Sequence, residues 1–129
     1  MISFFVTVAA TKSVYDLDNA SEVALLQAEG LQMDGIGAVE NLQVSSSSPS
    51  STYSWILDRE SCRGIVDIRS GFIDPLTDNF GSEIFTLYAQ SLGQCIFQIA
   101  YADPRNFISF EDHKRVSGLV IDFPIFVDD

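Results

Sequence analysis

Apolar residues come in short runs along this chain, and within most runs they alternate between two faces. In "EIFTLYA", Ile84, Thr86 and Tyr88 interleave with Phe85, Leu87 and Ala89; in "CIFQIAYA", Ile96, Gln98 and Ala100 are set against Phe97, Ile99 and Tyr101. A period of two is that of an extended strand with one face covered, and β-branched and aromatic residues fit that pleated surface. The runs predict strands over 3–9, 38–44, 53–57, 64–69, 83–89, 94–102 and 119–127. Clusters of Gly, Ser, Pro and Asp separate them, which is the spacing of a β-sandwich. Gly93 in "SLGQ" suits a tight turn. The long polar stretch "DPRNFISFEDHKRVSG" reads as a loop, because Pro104 ends the strand before it.

One segment breaks the period. "DNASEVALLQAEG" offers Ser21 as an N-cap, Glu22 in a first turn, Val23, Leu25 and Leu26 as apolar positions, and Gly30 as a stop, which predicts a short helix. The following "LQMDGIGAVE", with Gly35 and Gly37, reads as a loop leading into the next strand. The expected fold class is therefore all-β, with one helical insertion near the N-terminus.

Composition narrows the function. A chain of 129 residues and 14.2 kDa fits one domain, 1–129, and 47% hydrophobic residues with ten phenylalanines exclude disorder. The apolar runs are too short to cross a bilayer. The opening "MISFFVTVAATK" has no basic n-region, and its Ile2, Phe4 and Val6 suit a strand better than a signal peptide, so a cytoplasmic protein is expected. Seven Lys and Arg against eighteen Asp and Glu give a net charge of −11, which argues against nucleic acid and membrane headgroups as partners. The carboxylates are scattered, among them Asp16, Glu22, Glu60, Asp78 and Asp122, which suits solubility better than imitation of a phosphate backbone.

Catalytic and metal chemistry find little support. Cys62 and Cys95 allow one disulfide, but free buried thiols are the expectation, and two cysteines do not make a zinc site. Cys62 with His113 does not define a nucleophile pair. Asp16 with Asp18, and Asp128 with Asp129, lack the glycine and terminal glutamate of a calcium loop. There is no phosphate-binding glycine loop and no Gly-x-Ser-x-Gly elbow. A non-enzymatic monomer without cofactor or metal is expected.

The segment "VSSSSPSSTYSWIL" concentrates the remaining information. Its small hydroxyl residues surround Pro49 and lead into Tyr53 and the single tryptophan, Trp55, expected to pack in the core with Tyr53. Ser48-Pro49-Ser50-Ser51-Thr52-Tyr53-Ser54-Trp55 resembles the pattern Asn-Pro-Thr-Thr-Gly-Tyr-x-Trp of the first binding loop of the chagasin-type inhibitors of papain-like cysteine proteases. Downstream, "GIVDIRSGFID", Gly81-Ser82-Glu83-Ile84-Phe85 with Leu92-Gly93, and "FQIAYADP" resemble that family's later motifs in the same order, from about residue 38 to the C-terminus. The departures are Ser48 for asparagine, Thr52 for glycine, Ala102 and Asp103 before the proline, and Arg105 for tryptophan.

The resemblance implies an immunoglobulin-like β-sandwich that blocks a papain-like protease reversibly with three loops at one end. The first would carry Pro49, Ser50, Ser51 and Thr52, the second Asn79, Phe80, Gly81 and Ser82, and the third Asp103, Pro104, Arg105 and Phe107. Arg105 would pair with a carboxylate of the protease, and Phe107 would replace the missing aromatic contact. The alternative is an immunoglobulin-like structural or adaptor module that binds another protein without inhibiting a protease.

Overall fold

A computed structural model describes residues 14–46, 52–73, 81–116 and 119–129. Two four-stranded sheets face one another. The first holds β1 (Tyr15–Asp16), β3 (Val39–Ser45), β6 (Ser82–Ala89) and β5 (Val66–Ile73), in that order. The second holds β2 (Leu31–Asp34), β8 (Val120–Asp128), β7 (Gly93–Ala102) and β4 (Ser54–Leu57). Two helices complete the described elements, α1 (Ala20–Glu29) and α2 (Phe110–Val116). The β3–β6, β5–β6, β4–β7 and β7–β8 pairs are antiparallel, whereas β1–β3 and β2–β8 are parallel.

The alternation read from the sequence sets the inner faces. Phe85 and Leu87 of β6 meet Phe97 and Ile99 of β7 and Phe123 and Ile125 of β8, all buried. Phe97 joins the two sheets: its ring lies 5.6 Å from Phe85 edge to face, and 5.0 Å from Phe123 in a stack. Both arrangements are favoured by the ring quadrupoles.

Six of the expected strands appear with their ends moved by a few residues; the strand expected over 3–9 lies outside the described residues. Three segments differ, the first being the two-residue β1, which is not among the expected strands. Leu31–Asp34, expected as loop, is a strand: Leu31 and Met33 are buried while Gln32 and Asp34 are exposed. Four residues beside two glycines carry too few alternations to stand out in sequence. The polar stretch after Pro104 contains α2, which buries none of its own residues and so leaves no apolar period. It is held by its ends: the Asp112 N–H donates to Ser109 Oγ at 3.0 Å, Glu111 and Asp112 sit in the first turn, and His113, Lys114 and Arg115 in the last. The predicted α1 is present, but its N-cap is Asn19, not Ser21; Asn19 Oδ1 accepts from the N–H groups of Ser21 and Glu22. Gly30 ends it with φ +80°, and a Cβ there would lie 2.4 Å from Phe126, so glycine lets the helix end rest on β8.

The expected free thiols are instead a Cys62–Cys95 disulfide. Its role follows from the edge it covers. Strand β4 pairs with β7 only as far as Ile99, and the connection 58–65 takes over the rest of that edge. The Asp58 N–H donates to the Gln98 carbonyl at 2.9 Å, the Ile96 N–H donates to Ser61 Oγ at 3.0 Å, and the disulfide fastens the connection to β7. Covering an edge in this way removes a row of unpaired backbone groups.

With a sequence separation of 33, chain-entropy loss in the unfolded state gives the bond about 3–4 kcal/mol of stabilisation. The Cys62→Ala, Cys95→Ala double variant is expected to lose about that much in urea denaturation followed by circular dichroism. A loss below about 1 kcal/mol would show that the hydrogen bonds of 58–65 suffice without it.

Candidate functional site

The strand register decides which connections share an end of the sandwich. Ser45, the last residue of β3, faces Ser82, the first of β6, and Ser82 also faces Ile73, the last of β5. In the other sheet Ser54, the first of β4, faces Ala102, the last of β7, and Val120, the first of β8, faces Ala100. The connections 46–53, 74–81 and 103–119 therefore leave from one end. The residues expected for the three loops fall in these connections or, for Ser82, at the strand that follows one of them.

The first loop crosses from one sheet to the other, and its two roots are tied together. Trp55 packs against the core, and its Nε1–H donates to the Ser45 carbonyl at 2.8 Å, from β4 across to β3. Ser45 is held from its other side by Asp18, whose carboxylate accepts from the Ser45 N–H at 3.0 Å and from Ser45 Oγ at 2.7 Å. The Ser46 N–H then donates to the Gly81 carbonyl at 2.9 Å, which joins the first loop to the second. Tyr101 of β7 lies between Tyr53, 5.6 Å away, and Trp55, 5.1 Å away, so three aromatic rings close this end of the sandwich. Tyr53, expected in the core, is half exposed at the rim of that cluster.

The third loop is fixed by an internal ion pair. Asp103 is buried, and it accepts from the Arg105 backbone N–H at 3.0 Å, from Nε at 3.1 Å and from Nη2 at 2.8 Å. Those hydrogen bonds from Arg105 hold the Asp103 carboxyl below the usual carboxylate range. Arg105, expected to reach for a carboxylate of a partner, spends its fork on its own loop. Phe107, expected as an exposed aromatic contact, is half-buried against Phe110 at 5.0 Å and His113 at 6.0 Å. His113 Nε2 in turn lies 2.9 Å from the Tyr101 carbonyl, which docks α2 on β7.

Of the other expected site residues, Pro49, Ser50, Ser51, Asn79 and Phe80 lie outside the described residues. Thr52 is exposed, Gly81 is buried, Ser82 is half-buried, and Pro104 is exposed. Sequence reading missed Asp18 and Ser45, which brace the first loop. Only the "DLDN" turn hinted at the former. Among the described residues no group of three His, Cys, Asp or Glu side chains could hold a metal ion.

The neighbouring Glu83 sits at the start of β6 opposite buried Val44, and burial raises its pKa above the usual value. A raised carboxyl is protonated more easily in the folded than in the unfolded chain, so its ionisation works against folding at neutral pH. That cost begins to fade as pH falls through the raised value and is gone below the ordinary carboxylate value. Glu83→Gln is therefore expected to raise the melting temperature at pH 7 and to have no effect below pH ~4. Asp103 has the opposite sign: its lowered pKa means that its contribution is present at neutral pH and is lost only below the usual carboxylate range. In an NMR titration its carboxyl should return to that range in Arg105→Gln. Trp55→Phe, which keeps a ring but removes the donor to Ser45, should cost about 1 kcal/mol or more in denaturant unfolding and speed amide exchange at Ser45 and Ser46.

No protein-family model matches the chain, and no curated protein matches it in sequence. Solved structures that share its fold include the following two. One is the cysteine protease inhibitor EhICP2 of Entamoeba histolytica, at a TM-score of 0.56 and 10% identity over 76% of this chain and 84% of that one. The other is amebosin, at a TM-score of 0.58 and 12% identity over 89% of this chain and 96% of that one. The resemblance of the loop and strand motifs to the chagasin-type inhibitors thus extends to the fold, an immunoglobulin-like sandwich of two sheets.

Proposed function

We propose that this protein is a reversible inhibitor of papain-like cysteine proteases that fills the active-site cleft with the three connections 46–53, 74–81 and 103–119. The observation that carries the reading is the braced end of the sandwich: the strands that flank the three connections end on one side, and the first connection is held at both roots by the Trp55–Ser45 hydrogen bond and the Asp18 brace. The fold shared with a cysteine protease inhibitor supports it. A loop fixed before binding loses little entropy on docking, which is how a compact wedge gains affinity without new contacts. By the resemblance Ser50, Ser51 and Thr52 would form the tip, and their small side chains would let the backbone come close to a catalytic thiol. The block is steric and needs no covalent step, so the chain acts as a binding protein with no cofactor.

The setting follows from two features. The Cys62–Cys95 bond is of a kind that persists in oxidising compartments and is rare in the cytosol, so an oxidising compartment is proposed in place of the expected cytoplasmic one. The Asp103–Arg105 pair keeps the third loop formed in mild acid, because the lowered carboxyl stays ionised there.

Titration of papain with this protein, followed by hydrolysis of a fluorogenic peptide at pH 5.5 and pH 7, tests the reading. Saturable inhibition at both pH values is expected, with loss of at least a hundredfold in Thr52→Glu, whose charge would be desolvated at the tip. No inhibition at micromolar concentration would contradict the reading and favour an adaptor module that binds another protein.

A further inference from the structure

The third connection turns the expected contact residues back onto the protein and leaves another one out. Arg105 is forked onto Asp103, and Phe107 is folded against Phe110 and His113. Between Phe107 and the Ser109 cap of α2 stands Ile108, with 79% of its surface in water, more than any other large apolar side chain among the described residues. Single exposed apolar residues are common, and exposure alone carries little weight. Here the backbone on both sides is fixed. The Asn106 N–H donates to the Asp103 carbonyl at 2.9 Å on one side, and Ser109 takes the Asp112 and His113 N–H groups at 3.0 Å on the other. A β-branched side chain with little rotamer freedom is thus held out into solvent by a rigid support. The connection returns at Leu119, whose carbonyl accepts from the Tyr101 N–H at 3.2 Å; Leu119 and Tyr53 at this end are also exposed.

We infer that Ile108 is the apolar anchor of the loop end and enters an aliphatic-lined pocket in the wall of the target protease's cleft. The inference rests on the inhibitor reading above and deepens it. With Arg105 and Phe107 both engaged internally, Ile108 supplies the apolar contact of the third loop. It is a specificity-determining residue: a protease whose wall is polar or charged at that point would be inhibited poorly, because an aliphatic group cannot satisfy its polar atoms.

Ile108→Asp, Ile108→Leu and Thr52→Glu, measured beside the unmodified protein against papain, test it. Ile108→Asp is expected to weaken inhibition about tenfold to a hundredfold, mainly through faster dissociation, while Ile108→Leu stays within about threefold. All melting temperatures should stay within about two degrees of the parent, since Ile108 buries little in its own fold. Undiminished inhibition by Ile108→Asp, with Thr52→Glu inactive, would overturn the anchor and leave the inhibitor reading standing. Failure of the unmodified protein to inhibit would overturn both.

Discussion

The hydrogen bond from Trp55 Nε1 to the Ser45 carbonyl is the interaction on which the loop end depends. The two sheets are joined in the middle by Phe85, Phe97 and Phe123, which is enough to hold them face to face. Stacked rings do not fix what happens at the rim. There, a connection that leaves one sheet at Ser45 and enters the other at Ser54 would be free to splay. The indole closes that gap with one directional bond while its ring stays packed on the core. Asp18 then saturates the other side of Ser45, and the backbone of Ser46 passes the constraint on to Gly81 and the second loop. One residue, Ser45, thereby couples the N-terminal turn, the first loop and the second.

The two ends of the sandwich are built differently. Strand β7 is ten residues long, so about 30 Å separates them. At one end the connection 58–65 lies along the β7 edge and is locked by the disulfide and backbone hydrogen bonds. At the other, rigidity comes from side chains bonding to nearby backbone: Trp55 to Ser45, Asp18 to Ser45, Asp103 to Arg105, Ser109 to Asp112. Such local bonds stiffen a loop while leaving its outer surface available, which a binding end needs and a structural end does not. A net charge of −11 repels polyanions.

The sheets were legible in the sequence because alternation over seven or more residues repeats a burial decision several times. Both β6 and β7 were placed to within a residue or so, and Phe85 with Leu87 and Phe97 with Ile99 prove to be the buried sets of the two alternations. Strand β2, with two buried positions, and β1, with two residues in all, repeat it too seldom. Helix α2 has no apolar stripe to read, because its stability lies in capping and charge rather than burial. The motif order pointed to three connections, and the strands that flank them end on the same side of the sandwich. What the motifs did not reveal was how each side chain is spent: Arg105 and Phe107 look available in sequence, and only the short-range bonds to Asp103 and the packing on His113 show that they are not. The cysteine pairing was equally hidden, since a separation of 33 residues says nothing about proximity until β7 and the 58–65 connection are in place.

The most direct measurement is hydrogen–deuterium exchange of this protein alone and bound to papain whose catalytic thiol is capped with a methylthio group. Slower exchange confined to 45–55, 80–83 and 102–109, with 58–65 and 90–95 unchanged, is the expected result. Protection along the free edge of β5 or over 58–65, or none at all, would contradict a cleft filled by the loop end.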